Sequence, residues 1–509
     1  LNAKYGMFLE KFMRVKWLAI VIILLSVGGI IYFAKVIPSE LSPTEDRGMF
    51  RVMASGPEGA TFEYMDIYVN KLLQVVDEYV PESRMIISIT SPGFGGASAN
   101  SAMVIARLED ATERKTSQSG IVNRVRPKIN EITMARAFVA EPQSIGSRRS
   151  GLPIQYVLQA PTLEKLKEAI PAFLDRARQD PAFNYVDVNL KFTKPEVKVE
   201  ISREKARSMG VSVRDVAQTL QLGLSGQRFG SFVMNGKQYY VIGQVRKENR
   251  NDPLDLRSLY VRSNNGSLIQ LDNLITMEEQ SSPPQLYRYN RFVSATVSAN
   301  LSGNTKIGAG LEAMDRISDK VLDESYSTAL AGQSKEFMES SGNLYFAFAF
   351  ALVLIYLVLS AQFESFLDPL IIMFTVPLAL AGTLFSLWYF GETLNIFSQI
   401  GIIMLIGLVS KNGILIVEFA NQRKAQGLDI YDSIVGAAKS RFRPILMTSL
   451  STILGIMPIA LALGAGSESR VSMGVAVIGG LMFSTVLTLF VIPAIYSYLT
   501  SRKARESRF

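Results

Sequence analysis

Apolar residues along this chain gather into six runs, each near the roughly 20 residues that carry a helix across a bilayer. The first is Trp17–Ala34, and no further run occurs until Leu344. Five then follow closely, at about Leu344–Leu359, Leu370–Tyr389, Ile396–Ala420, Ile445–Leu463 and Val471–Leu499. The pattern predicts one lone spanning helix, a large polar block and a cluster of five more spans. The first run does not read as a cleaved signal. Lys16 and Lys35 flank it, and Val36-Ile37-Pro38 follows where a small-residue cleavage site would stand. The chain opens at Leu1 without an initiator Met, so an upstream portion is expected to be missing or processed away.

Between Pro38 and Gly342 the pattern alternates between strand and helix periods. Met49–Ala54 reads as a strand, Thr61–Tyr79 as a helix with Thr61 at its N-cap, and Met85–Ser91 and Ala102–Leu108 as strands. Ser119–Ile132 reads as a helix and Arg136–Ala140 as a strand. That order, β-α-β-β-α-β, is the ferredoxin-like split unit. It begins again after Ser147–Gly151 with a strand at Ile154–Leu158, a helix at Leu163–Arg178 and a strand at Tyr185–Leu190. The pattern then breaks off and resumes with a strand at Val293–Ala299 and a helix at Ile307–Leu322. A second copy opened by an insertion, from about Lys191 to Pro284, accounts for the gap. The insertion has short helices at Ser202–Met209 and Val213–Leu222 and turn-rich strands around Tyr239–Gly243.

The resulting plan is an amphipathic lead-in at 1–14, a transmembrane helix at 15–36 and a first subdomain at 37–146. A second subdomain occupies 147–190 and 285–335, opened by an inserted one at 191–284. Five transmembrane helices at 336–499 and a basic tail at 500–509 complete it. The fold class is a membrane α-helical bundle of six transmembrane helices with α+β subdomains of ferredoxin-like type.

Composition agrees with membrane insertion: 48% of the 509 residues are hydrophobic, 19% are charged, and the mean hydropathy is +0.20. A soluble chain of this length stays hydrophilic on average. The absence of Cys and His excludes disulfide frameworks, thiol nucleophiles, zinc sites of the usual ligand sets and every triad that needs an imidazole base. Protons must therefore move on Asp, Glu, Lys, Tyr or water. No nucleophile–base constellation appears, so an enzyme is the least favoured class, and no metal site is expected.

The net charge of +8 is placed rather than spread. Lys4, Lys11, Arg14 and Lys16 precede the first span; Arg423, Lys424, Lys439, Arg441 and Arg443 lie between the fourth and fifth; Arg502, Lys503, Arg505 and Arg508 follow the sixth. With an even number of spans these all fall on one face, which the positive-inside rule makes cytoplasmic. The polar block then lies outside. The same rule accounts for the basic tail without a nucleic-acid partner.

Lys411 is the most informative residue, because Ile402–Phe419 carries no other charge before Glu418. An ammonium at mid-depth costs about 3 kcal/mol on the insertion scale, so it needs a partner or a water-filled path. The alternative is snorkelling to the interface, which a position about ten residues from either end makes difficult. Glu364, Asp368, Glu392 and Glu418 all fall near span ends. Glu418 is about 10 Å further along the helix. The partner carboxylate is therefore expected on polypeptide outside this sequence. Gly407, Ser410 and Gly413 present a small-residue surface for another helix. Thr448 and Ser449 either join the same polar centre or back-bond within their own helix. In the polar block, Ser91-Pro92-Gly93-Phe94-Gly95-Gly96-Ala97-Ser98 is either a flexible turn or a mobile loop lining a substrate path, with Phe94 as an apolar contact. No Gly-Lys-Ser/Thr follows and no helix begins there, so it is not a phosphate loop.

Two stretches carry a resemblance: Ser410-Lys411-Asn412-Gly413-Ile414-Leu415-Ile416-Val417-Glu418-Phe419-Ala420 and Arg441-Phe442-Arg443-Pro444-Ile445-Leu446-Met447-Thr448-Ser449. With Leu41–Gly48 and Glu204–Val211, they make the chain resemble the resistance-nodulation-division (RND) efflux pumps, hydrophobe/amphiphile branch, over essentially its whole length. The resemblance implies the C-terminal half of such a pump: six spans, two porter subdomains and an inserted docking subdomain, in a Gram-negative inner membrane with both termini cytoplasmic and the large block periplasmic. It further implies a proton relay in which Lys411, with Asn412, Arg441 and Thr448, works with an aspartate pair of the N-terminal half. Gly93, Phe94, Gly95, Gly96 and Ala97 match the switch loop between drug pockets, and Phe138 lies in a strand that borders them. Ile89, Gly96, Ile105, Ala137 and Val139 stand where multidrug members are dense in Phe, which points to a narrower or more lipid-like substrate range.

The leading reading is thus a proton-driven exporter subunit of small amphiphilic compounds, working as a homotrimer with a periplasmic adaptor and an outer-membrane channel, and needing no cofactor beyond the proton gradient. A buried Lys–Asp pair that gains a proton loses its attraction, so the helices bearing it can shift. Alternatives are a Sec-type translocation accessory subunit, which shares the one-plus-five span plan, and a non-transporting docking component.

Overall fold

The computed structural model describes residues 2–92, 99–142, 145, 152–250, 252–283, 285–303, 305–463 and 467–506. It divides into a large unit, Leu1–Leu190 with Tyr287–Phe509, and a smaller one, Lys191–Leu286.

The chain opens with a helix, α1 (Asn2–Arg14), ahead of the first span, α2 (Trp17–Val36). Tyr5, Leu9 and Met13 recur every four residues and so form one buried stripe on α1. The Tyr5 hydroxyl donates to the Leu489 carbonyl at 2.8 Å, and its ring stacks on Phe442 at 4.3 Å.

After an extended strap at 37–48 comes the first α/β part of the large unit. It comprises β1 (Met49–Ser55), α3 (Phe62–Tyr79), β2 (Ser83–Thr90), β3 (Ser101–Leu108), α4 (Gln118–Asn130) and β4 (Arg136–Ala140). The strands form one antiparallel sheet in the order β2-β3-β1-β4. Thr61 and Ser117 cap the two helices, their hydroxyls accepting from Tyr64 and Gly120 N–H. Period-2 alternation sends Phe50, Val52, Val104 and Ala106 into a core with Tyr68 and Leu72 of α3 and Ile121 and Val125 of α4.

The strap is tied to this part through Asp46. Its carboxylate takes Arg114 Nη2 at 2.7 Å, Gln118 N–H at 2.9 Å and Gly48 N–H at 3.1 Å. Burial alone would raise the Asp46 pKa, but the Arg114 hydrogen bond and charge and the two N–H donors together outweigh it and hold the carboxyl below its ordinary range. A depressed carboxylate stabilises the fold fully above its unfolded value of about 4, and that contribution is lost as pH falls through the lower folded value. Protection against hydrogen exchange at residues 44–48, taken relative to the intrinsic rate at each pH, is accordingly expected to hold at pH 5 and to fall only below pH about 4. An Asp46→Asn chain should exchange faster throughout and lose that pH dependence; exchange like the parent's would show the strap is held by something else.

A second α/β part starts with β5 (Ile154–Ala160), α5 (Leu163–Gln179) and β6 (Phe183–Val188). The chain then leaves for the smaller unit, which contains β7 (Lys194–Ile201), α6 (Arg203–Ser208), α7 (Val213–Ser225), β8 (Gln227–Met234), β9 (Lys237–Gly243), β10 (Tyr260–Arg262), β11 (Leu268–Gln270) and β12 (Ile275–Ser282). Here β12 pairs with β7, and Ala206, Val216, Val261 and Leu271 form a small core. The hairpin β8–β9 turns at Asn235-Gly236, both at positive φ (53° and 73°), as a two-residue turn of the primed kind requires. Phe229, Phe232, Val233, Tyr240 and Ile242 are exposed on it.

Returning to the large unit, β13 (Tyr287–Tyr289), β14 (Phe292–Leu301), α8 (Ile307–Val321) and β15 (Ser327–Leu330) complete the second sheet. Its path β6-β14-β5-β15 repeats the order of the first sheet, with β13 sharing an edge of β14.

The remaining helices are α9 (Gly332–Phe363), α10 (Leu367–Met373), α11 (Thr375–Tyr389), α12 (Ile396–Ala425), α13 (Ile430–Ala460) and α14 (Glu468–Glu506). With α10 and α11 counted as one span, six helices among the described residues are long and apolar enough to cross a membrane. Several outrun their apolar stretches. α9 begins at Gly332, where Ser334 Oγ accepts from Gln155 N–H at 2.9 Å, and α13 begins at Ile430 behind its Asp429 cap. Hydropathy marks bilayer depth, whereas caps and contacts set helix ends. α14 runs through the middle of the bundle and packs on α11, α12 and α13.

Candidate functional site

The centre of α12 presents two different faces. Ser410 and Asn412 are buried, 4% and 2% exposed, while Lys411 between them is exposed. Helical spacing puts Ser410 and Asn412 about 100° to either side of Lys411, so the exposed lysine stands between two buried flanks. Gly413 brings the buried side against α10 and α11: a Cβ there would lie 3.2 Å from both Ile372 Cγ2 and Thr375 Cγ2. Asn412 Nδ2 and Thr375 Oγ1 are buried without a hydrogen-bond partner among the described residues. Ser410 Oγ donates back to the Gly407 carbonyl at 3.1 Å.

Among the described residues Lys411 has no ion-pair partner. Glu418 is exposed and accepts from Gln422 Nε2 at 2.9 Å, one turn further on. Asp368 accepts from Asn421 Nδ2 at 3.1 Å, and Asn421 Oδ1 accepts from Tyr496 at 2.6 Å. The nearer carboxylates are thus engaged toward the end of α12.

Arg441 and Thr448 are carried by α13, which returns alongside α12 after the short turn at 426–429. The Arg441 guanidinium lies 4.5 Å from the Phe419 ring, and its Nε is buried without a partner among the described residues. Phe419 is about 12 Å along α12 from Lys411, so Arg441 and Lys411 are not brought together. Thr448, about 10 Å up α13 from Arg441, stands near the level of Asn412. Its hydroxyl donates to the Ile445 carbonyl at 3.1 Å, the back-bonded arrangement. Ser449 instead faces inward and accepts from Thr485 Oγ1 of α14 at 3.0 Å.

In the first α/β part, Gly93, Phe94, Gly95, Gly96 and Ala97 lie outside the described residues. Strand register settles the others. Ile89 pairs with Met103, Met103 with Met53 and Met53 with Phe138, forming one row across the sheet. Ile105 stands in the next row of the same face, opposite Ile87 and Arg51. Val139 belongs to the other face, packed in the core under the helices. Neighbours in a strand cannot share a face. Phe138 also meets Tyr185 at 5.9 Å between ring centroids, bridging the first and second α/β parts. There a cavity of about 480 Å³ is lined by Phe138, Arg126, Glu141, Asn184, Leu301 and Gln333, among others.

Sequence reasoning missed Asn395, the buried N-cap of α12, which forms a capping box with Ser398 and accepts from Ser472 Oγ at 3.1 Å. Its signal was present in the spacing Asn395-x-x-Ser398 before an apolar run.

A family model described as the AcrB/AcrD/AcrF family matches residues 1–500. A Haemophilus influenzae protein described as an uncharacterized transporter is 32% identical over 471 residues, covering 91% of this chain and 45% of its own length. The chain thus spans about half the length of that curated relative. The extent of both matches places the chain in the AcrB/AcrD/AcrF family, among the RND transporters.

Proposed function

We propose that this multi-pass membrane chain is the C-terminal half of a proton-driven RND efflux transporter. The observation that carries the reading is Lys411, exposed at mid-depth of α12 and lacking an ion partner among the described residues. A desolvated ammonium needs a counter-charge, and a helix from an N-terminal half bearing aspartates supplies it. The unpaired Asn412 and Thr375 groups nearby offer hydrogen bonds that a file of waters can use. Arg441 and Thr448 then serve proton passage from the flank of α13.

The two α/β parts act as porter subdomains of ferredoxin-like type on the periplasmic side. Their substrates are small amphiphilic compounds, taken up from the periplasm or the inner membrane. The row Ile89, Met103, Met53 and Phe138 supplies an apolar wall, and the cavity beside Phe138 adds Arg126 and Glu141 for polar groups. The exposed apolar arm β8–β9 supports protein partners: a homotrimer, a periplasmic adaptor and an outer-membrane channel.

The test is drug and bile-salt susceptibility in a pump-deleted Gram-negative host expressing the chain alone or with an N-terminal RND half. Protection is expected only with both. A pair that assembles without protecting would favour the docking-component reading. In the protecting pair, Phe138→Ala is expected to raise susceptibility to bulky amphiphiles about tenfold, the worth of roughly 1.4 kcal/mol of lost apolar contact. Equal loss for small and bulky compounds would place Phe138 outside the substrate path.

A further inference from the structure

The strap that follows α2 runs between two distant parts of the large unit. On one side it lies along the entry to α12. Leu394 N–H donates to the Pro38 carbonyl at 3.0 Å, Glu40 N–H to the Leu394 carbonyl at 3.1 Å, and Ile396 N–H to the Leu41 carbonyl at 3.3 Å. On the other side it meets the start of α8, where Gly308 N–H donates to the Ser39 carbonyl at 3.3 Å. Glu40 joins the two. Its Oε2 lies 2.9 Å from Nζ of Lys306, the N-cap residue of α8, and its Oε1 accepts from Thr393 Oγ1 at 2.6 Å. Thr393 Oγ1 accepts in turn from Asn395 Nδ2 at 3.0 Å, and Asn395 caps α12.

We propose that Glu40 is a positioning residue that passes displacement of α12 to the second α/β part through Lys306. The proposal rests on the proton-coupled export proposed above and names the joint that transmits it. Three backbone hydrogen bonds make the strap follow α12, whereas one backbone bond and the ion pair hold α8 to the strap. The ion pair is therefore the part that decides whether α8 follows. It suits that role: Glu40 is only 14% exposed at its side chain, so water and salt screen the pair weakly, and charge-assisted bonds are the strong ones. α8 packs on α5 and β5, so a pull at its first turn acts on the whole second sheet. Lys411 lies sixteen residues beyond the Asn395 cap, about 24 Å along one helix, a span over which a helix transmits movement as a rod.

The chain has no cysteine, so introduced ones act alone. A Cβ on Gly308 would lie 3.6 Å from Ser39 Cβ, inside the roughly 3.5–4.5 Å span of disulfides. In the chain assembled with an N-terminal RND half, Lys306→Met is expected to lower protection at least about tenfold. Adding Ser39→Cys and Gly308→Cys should restore protection when the bridge is oxidised and lose it again on reduction. A role for Lys306 other than tying α8 to the strap would not respond to the redox state. Protection by Lys306→Met equal to the parent's, or a bridge that forms without restoring it, would overturn the proposal. If the parent assembly itself gives no protection, the export reading fails separately, and the joint is judged by hydrogen exchange of the chain in lipid nanodiscs. There Asn395→Gly, which loosens the α12 cap, should quicken exchange at residues 307–312 in the parent and not in Lys306→Met; an equal response in both, or none in the parent, overturns it.

Discussion

Lys411→Ala is expected to return an assembled, protecting transporter to the susceptibility of the pump-deleted host while leaving the chain folded. The two halves of that expectation come from the two faces of α12. Gly413 makes the close contact with α10 and α11, Ser410 and Asn412 are buried beside it, and none of them changes. The exposed ammonium contributes no ion pair within the chain, among the described residues, and keeping it in apolar surroundings costs about 3 kcal/mol. Removing it should therefore leave thermal unfolding of the isolated chain unchanged or raise its midpoint. Export is a different matter: under the proposed relay, aspartates on an N-terminal half would have no cation to release when they gain a proton. Susceptibility assays and thermal unfolding of the same preparations separate the cases. Protection that survives the substitution sinks the relay assignment, and a fall in both readouts makes Lys411 a structural residue.

Gly479→Leu should prevent α11 and α14 from packing, with a cost of about 3 kcal/mol or more. A Cβ at Gly479 would lie 2.0 Å from Ser386 Oγ and 2.3 Å from Ser386 Cβ, with the Gly382 carbonyl at 3.3 Å. At Gly382 it would lie 2.3 Å from Phe483 Cβ and 3.2 Å from the Gly479 carbonyl. The Ser386 hydroxyl can rotate away, but its Cβ is fixed to the backbone and the Gly382 carbonyl lies close behind, so the helices themselves must separate. Close approach through small residues is also what holds spanning helices together where lipid removes the hydrophobic drive. Gly28→Leu in α2 is the matched control, since nothing lies within 4 Å of its Cβ direction. Membrane accumulation and unfolding temperature should fall for Gly479→Leu and hold for Gly28→Leu. Equal behaviour of the two would mean that the α11–α14 contact is not a stability determinant.

The sequence makes some of this plan legible and conceals the rest for identifiable reasons. Six apolar runs stand out because a bilayer demands length and hydropathy together, yet the start of α9 at Gly332 does not, because its first turns are polar and held by Ser334 on β5. Thr61 is readable as a cap from its type and place, and its hydroxyl does accept from Tyr64 N–H. Lys411 is readable because a lone charge in an apolar run has few explanations. The grouping of Phe138 and Val139 is where adjacency misleads: strand parity sends one to the open face and the other into the core. The Glu40 joint lies beyond any local pattern, since its members come from positions 40, 306, 393 and 395 and only the fold brings them together.

That long reach also sets a timetable for synthesis. Glu40 and Thr393 are separated by 353 positions. At roughly 5–20 residues per second, the hydroxyl that Glu40 needs emerges about 20 to 70 s after the carboxylate does. Throughout that interval the strap has its first span behind it and no cap of α12 to pair with. The joint therefore closes only on a chain made through its fourth span; until then the strap has its ties to Arg114 and Lys306 but none to α12.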